Sequence, residues 1–275
     1  MLNIRKYFIR LAFFSGCLTA VSATAQDAGQ DAAALAKAVQ NPIASLISVP
    51  FQWNINLETG PQEKTQHVLN IQPVLPFELN EDWNIITRTI FPLISQPAFG
   101  QGQSREGGLG DIQFSAFFSP KKPTASGWIW GAGPILQMNT ATDDRLGQGA
   151  WGVGPAAVAL KISGPWVFGG LINNVWSITE DSGRADVNQM LIQPFINYNF
   201  ADKPGRYLTS APIITANWKA DNDKWLIPLG MGIGQVMKIG KQPVNIQASA
   251  YYNVERPDNA AKYQIRLQIQ LMFPK

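Results

Sequence analysis

The chain has 275 residues, 45% hydrophobic and 15% charged, with a formal net charge of +3 and a single cysteine, Cys17. Three of the basic residues, Arg5, Lys6 and Arg10, fall at the extreme N-terminus, so the remainder is close to neutral and no nucleic-acid partner is implied. Beyond Cys17 there is no thiol for a disulfide, a thiolate metal site or a cysteine nucleophile.

Residues 1–25 read as a secretory signal peptide: the basic start precedes an apolar stretch from Leu11 to Val21, and Ala23-Thr24-Ala25 offers small residues for cleavage before Gln26. A lipoprotein-type cleavage at Cys17 competes. It is disfavoured because Phe14 fits that motif poorly and the apolar run continues past the cysteine. Residues 26–43 form a leader, in which Asp31 to Gln40 predicts a short helix with Asp31 as N-cap and Pro42 just beyond its end. So short a helix is marginal alone; a flexible leader is favoured over a plug in a barrel mouth.

From residue 44 onward the pattern has period two. Ile47, Val49, Phe51, Trp53, Ile55 and Leu57 alternate with Ser48, Gln52, Asn54 and Asn56, one oily face against one wet face. Ten further strands follow, at about residues 67–79, 83–94, 109–118, 128–139, 150–162, 166–178, 188–200, 207–218, 225–238 and 243–254. The last strand repeats the alternation, with Tyr263, Ile265, Leu267, Ile269, Leu271 and Phe273 against Gln264, Arg266, Gln268 and Gln270. Segments of roughly 11 to 14 residues exceed the soluble mode of about 5 to 6 and suit a tilted strand crossing a bilayer. The fold class is therefore all-β: an antiparallel transmembrane β-barrel of about twelve strands over residues 44–275, with ten or fourteen as alternatives. An even count puts both termini on one side, the periplasm.

Amphipathic rings collect at membrane boundaries. On this topology Trp83, Trp128, Trp166, Tyr207 and Phe273 fall at periplasmic strand ends and Trp151, Trp176 and Trp225 at outer ends, predicting two aromatic girdles. A soluble sandwich would carry such rings in mid-strand.

Prolines interrupt many strands: Pro50, Pro73, Pro76, Pro92, Pro134, Pro155, Pro194, Pro212 and Pro228. Each lacks a ladder N–H and marks a bulge, a kink or a gap. Two readings stand, a sideways opening toward lipid and simple bending that discourages mispairing, and the second is favoured. The glycines of the GAGP, GVGP and GMGIG runs lack the strand-to-helix layout of a phosphate loop and share inward parity instead.

The same parity selects a lumen lining of Gln52, Asn54, Gln72, Glu78, Arg88, Asp111, Gln113, Gln137, Gln193, Asn197, Gln247, Arg266 and Gln268. Amides dominate, which predicts a path for polar or weakly polar solutes without strong ion selectivity, the four charged groups pairing across the lumen or filling it. His67, the sole histidine, would have to carry any Ser-His-carboxylate catalysis or histidine metal site. It turns outward beside Leu69 with no serine motif next to it, so neither catalytic residue, metal nor cofactor is assigned. Acidic pairs in the outer loops, Asp143-Asp144, Glu180-Asp181 and Asp221 to Asp223, read as solvated charge, with cation bridging to lipopolysaccharide as the sharper alternative.

The runs NPIASLISVPFQWNIN (41–56), TRTIFPLI (87–94), GGLGDIQFSAFFSP (107–120), WGVGPAAV (151–158) and GPWVFGGLINNVWS (164–177) resemble the outer-membrane transporter family named for the meta-pathway of phenol degradation. The resemblance spans nearly all the chain after the signal and implies an outer-membrane barrel; it supplies no catalytic residues. The last strand is similar to the signal read by the barrel-assembly machinery, although Pro274 and Lys275 follow Phe273. The sequence thus points to a channel passing small solutes, aromatic or apolar ones among them, through the bacterial outer membrane, with lipid and lipopolysaccharide as neighbours. A filled structural or adhesion barrel and a lipid hydrolase using His67 are the alternatives.

Overall fold

The computed structural model describes residues 31–100, 102–179 and 186–274; the expected signal peptide, with Cys17, and the Glu180-Asp181 pair lie outside them. Fifteen strand segments form one sheet: β1 (Ile47–Thr59), β2 (Lys64–Ile71), β3 (Val74–Glu78), β4 (Trp83–Gln96), β5 (Glu106–Leu109), β6 (Ile112–Pro120), β7 (Trp128–Met138), β8 (Gly152–Ser163), β9 (Trp166–Ser177), β10 (Asn188–Asn199), β11 (Arg206–Ser210), β12 (Ile214–Asn217), β13 (Trp225–Ile239), β14 (Gln242–Glu255) and β15 (Tyr263–Phe273). Three pairs, β2 with β3, β5 with β6 and β11 with β12, are interrupted halves of single staves, so the barrel has twelve. All neighbours are antiparallel. The sheet closes where β1 meets β15 in an unbroken register from Ile47 opposite Phe273 to Leu57 opposite Tyr263. Closure removes the edges that a long alternating sheet would otherwise expose.

Two of the three interruptions fall at prolines the sequence singles out. Pro73 separates β2 from β3, and Pro212 separates β11 from β12; Pro228 sits at a register shift against β14. Around Pro212 the wall is open on both sides. Toward β10 the ladder stops at Ser210 and resumes at Ile214; toward β13 it stops at Thr209 and resumes at Thr215. Pro50, Pro76, Pro134, Pro155 and Pro194, in contrast, keep their strands in register with a neighbour.

The outside is apolar through mid-strand, where Leu229, Met231, Ile233, Ile246 and Ile269 are all exposed. So continuous an apolar band is stable against lipid and not against water. No described helix is long and apolar enough to cross a membrane; the crossing is made by strands. Rings cluster at both ends of the band. At the end that carries the termini, Trp83 meets Trp130, Trp128 meets Phe168 and Trp166 meets Tyr198, with centroids 4.8 to 5.9 Å apart; Phe273 is exposed there too. At the opposite, distal end Trp218 meets Trp225 and Tyr252 meets Tyr263, each at 5.4 Å, while Trp151 and Trp176 are exposed.

Tyr207 corrects the girdle. It is 1% exposed and points inward over Gly234, its cross-strand partner, with its hydroxyl 2.8 Å from Asn245 Oδ1 and 3.1 Å from Gln247 Oε1. Its parity is that of buried Thr209, and Leu208 between them faces out, so position at a strand end was outweighed by alternation.

The leader is corrected as well. Residues 31–39 are helical, and the segment packs in the barrel mouth on the terminal side. Leu35, Ala36, Val39 and Leu46 lie against Tyr207, Val236 and Met272, and Ile43 joins Ile86, Phe117 and Ile135. Gln40 Nε2 donates to Asn199 Oδ1 and Asn199 Nδ2 donates back to Gln40 Oε1, each at 3.0 Å; Asn84 Nδ2 donates to Ser45 Oγ. A helix too short to hold alone is held by burial of its apolar stripe.

Candidate functional site

Inward-facing positions build two unlike walls. On β1, β14 and β15 they are amides: Gln52, Asn54, Asn245, Gln247, Gln268 and Gln270, joined by bonds such as Gln52 Nε2 to Asn54 Oδ1 and Asn245 Nδ2 to Gln270 Oε1, both 3.3 Å. On β4 and β6 to β10 a hydrocarbon cluster of Ile86, Phe117, Ile135, Val158, Leu160, Val167, Leu171, Val175 and Phe195 shares the inward side with Arg88, Gln113, Gln137, Gln193 and Asn197. An amide-lined lumen is thus only half of what exists. β8 and most of β9 are apolar on both faces, Asn173 on the second cavity being an exception, and a stretch of that kind shows no alternation from which its inward side could be chosen.

Two cavities lie between the walls. The first, about 160 Å³, sits against the plug and is bordered by Gln52, Gln72, Arg88, Gln193, Asn197, Gln247, Arg266 and Gln268 among the expected residues. The second, about 290 Å³, extends toward the distal end and shares Gln52, Gln72, Arg88 and Gln193, adding Asp111 and Gln113. Asn54 borders a third space, also about 160 Å³, with Pro228 and Asn253. Gln137 is buried beside Gln113, to whose Nε2 its Oε1 is acceptor at 3.4 Å.

The charged members do not balance one another. Glu78 shares the inward parity of Asn84, its partner on β4, but lies at the rim, where it is exposed and paired with Lys121 at 3.1 Å; it lines no lumen. Asp111 borders the second cavity, yet its carboxylate is committed to the distal loop, accepting from the backbone N–H of Thr140, Ala141 and Gln148 at 3.3, 3.2 and 2.6 Å. The two arginines remain. Arg266 is 2% exposed and engaged through all three of its nitrogens: Nε donates to Asn54 Oδ1 at 3.2 Å, Nη2 to Gln264 Oε1 at 3.0 Å and Nη1 to the Ala211 carbonyl at 2.9 Å. Its guanidinium also lies 4.7 Å from the Tyr251 ring. Ala211 is in the proline gap, so Arg266, the Tyr251 hydroxyl near Ala211 N and Ser210 Oγ donating to Gly230 O at 2.7 Å satisfy groups the broken ladder leaves behind. Arg88 donates from Nη2 to Gln72 Oε1 and has no other acceptor among the described residues. Sequence reading placed both arginines on the lumen but could not show which was committed, because Ala211 is 55 residues away from Arg266 along the chain.

His67 faces out against Trp53, centroids 5.6 Å apart, and its Nδ1 is buried without a partner. Ser95 stands opposite it on β4, a neighbour linear sequence does not show; its hydroxyl accepts from Arg105 at 3.0 Å and forms no bond to the imidazole. No group of three or more potential metal ligands occurs among the described residues.

A search of solved structures finds a COG4313 outer membrane channel from Pseudomonas putida F1, with a TM-score of 0.60 and 17% identity, covering 83% of this chain and 94% of that one. The architecture is that of a known outer-membrane channel. Weaker likenesses include outer membrane phospholipase A from Escherichia coli, at a TM-score of 0.47, 12% identity and coverage of 89% and 98%, and a porin, at 0.40, 9% and coverage of 78% and 64%. No family model matches the chain, and no curated protein matches it in sequence.

Proposed function

We propose that the protein is a channel of the bacterial outer membrane, termini toward the periplasm, that passes small solutes with apolar or aromatic parts. The observation that carries this reading is the mixed interior: a closed barrel with a lipid-facing exterior holds neighbouring cavities lined by amides and by Phe117, Ile135, Leu171 and Leu191. A structural barrel would gain stability by filling that space. The resemblance to the phenol meta-pathway transporters supports an aromatic solute class. Lipopolysaccharide at the distal rim and the barrel-assembly machinery at β15 are the partners this placement implies. A lipid hydrolase is disfavoured, since the lone histidine is not hydrogen-bonded to the serine opposite it.

Purified protein in planar bilayers is expected to conduct, and proteoliposomes are expected to admit small aromatics faster than sugars of similar mass. A protein that stays silent in bilayers and leaves vesicles as tight as empty ones would sink the channel.

A further inference from the structure

We infer that Arg88 is a binding site for the carboxylate of an amphiphilic solute, its apolar body lying against the hydrocarbon wall. The inference rests on the channel reading and names its solute class.

Arg88 stands on β4 between Val74 on β3 and Ser115 on β6 and borders both main cavities. A guanidinium has five N–H donors in a planar fork, and here one reaches Gln72. The others have no protein acceptor among the described residues, and the residue borders both cavities. The charge that acts on it is Arg266, of the same sign; Glu78 is at the rim with Lys121 and Asp111 holds the distal loop. A half-buried cation with a like-charged neighbour and no counter-ion among the described residues is costly, and an incoming anion relieves that cost. The free donors of one planar fork suit a carboxylate, which takes two parallel N–H bonds. Phe117, Ile135, Leu171, Leu191 and Ile213 line the same second cavity as Arg88, a surface for a ring or short alkyl chain. Together they select an amphiphilic monoanion over a sugar, a cation or a neutral hydrocarbon.

The test uses the purified protein in detergent micelles with benzoate labelled with 13C at the carboxyl carbon, benzyl alcohol and chloride as probes. Benzoate is expected to bind saturably with a shifted carboxyl resonance, and Arg88→Gln to weaken it by about 30-fold or more. Arg88→Lys, which keeps the charge and loses the fork, is expected to fall between and serves if the glutamine variant does not fold. Benzyl alcohol should be indifferent to both substitutions. Chloride competing as well as benzoate would reduce the site to simple anion attraction and overturn the solute class; benzoate binding equally to all three proteins would overturn the site. Conductance without Arg88-dependent benzoate binding would refute this inference alone, whereas such binding by a non-conducting barrel would refute the channel alone.

Discussion

A Cβ atom placed on Gly234 would lie 2.1 Å from Cζ of Tyr207, so the glycine exists to admit the ring that crosses it. Gly234→Ala is expected to destabilise the barrel by about 1 to 3 kcal/mol through overpacking. Tyr207→Ala costs stability by a different route, since Asn245 and Gln247 lose the buried hydroxyl. In the double variant the alanine methyl meets no ring, and the two penalties should sum to less than their parts, with a coupling of about 0.5 to 3 kcal/mol. Urea unfolding in micelles, followed by tryptophan fluorescence, measures all four corners; strict additivity would show that the ring does not rest on Gly234. The inward turn of Tyr207 is legible in the alternation of Tyr207, Leu208 and Thr209, which outranks its position at a strand end. Nothing local could reveal that Ser95 faces His67, because that pairing depends on the register of β2 with β4.

Among the elements, the plug and the gap at Pro212 are two departures from an ideal barrel that bear on the path. The plug is tied to the wall by the reciprocal amide pair of Gln40 and Asn199. Since the sequence has no cysteine after Cys17, Gln40→Cys with Asn199→Cys places a unique thiol pair across that contact. Bridging it with a short bismaleimide is expected to hold single-channel conductance low and steady, while the unbridged protein shows larger, fluctuating openings as the helix moves. Identical traces would mean that the plug does not limit the path. The gap at Ala211 to Ile213 depends on Arg266 in place of a ladder partner. Arg266→Met removes the donor to a buried carbonyl at a cost of about 1.5 to 3 kcal/mol, and amide hydrogen exchange should accelerate at residues 210–214 more than on β15 itself. Pro73, Pro212 and Pro228 could be read from sequence as breaks because proline has no N–H; that Pro50 and Pro194 stay in register could not, because it turns on whether the neighbouring strand needs a donor there.

For the whole molecule, closure, the even number of staves and their ends were written in alternation and turn residues, and the strand ends expected from the pattern fall close to those observed. The interior was legible only where polar residues mark it: β1 and β15 announce their inward faces, whereas β8 is almost wholly apolar on both. That asymmetry gives a sharp test of which medium each face meets. Ile269 and Gln268 are adjacent in mid-β15; Ile269 is 51% exposed on the outer surface, and Gln268 borders the first cavity. Ile269→Arg sets a guanidinium in the apolar band and is expected to cost about 2 to 4 kcal/mol of folding free energy in lipid vesicles. Gln268→Arg sets the same group against amides and cavity water, so it should fold with a smaller loss and raise anion preference in a salt-gradient reversal potential. If Ile269→Arg costs no more than Gln268→Arg, the outer face of β15 is not in lipid, because hydrocarbon penalises an outward guanidinium that water would solvate.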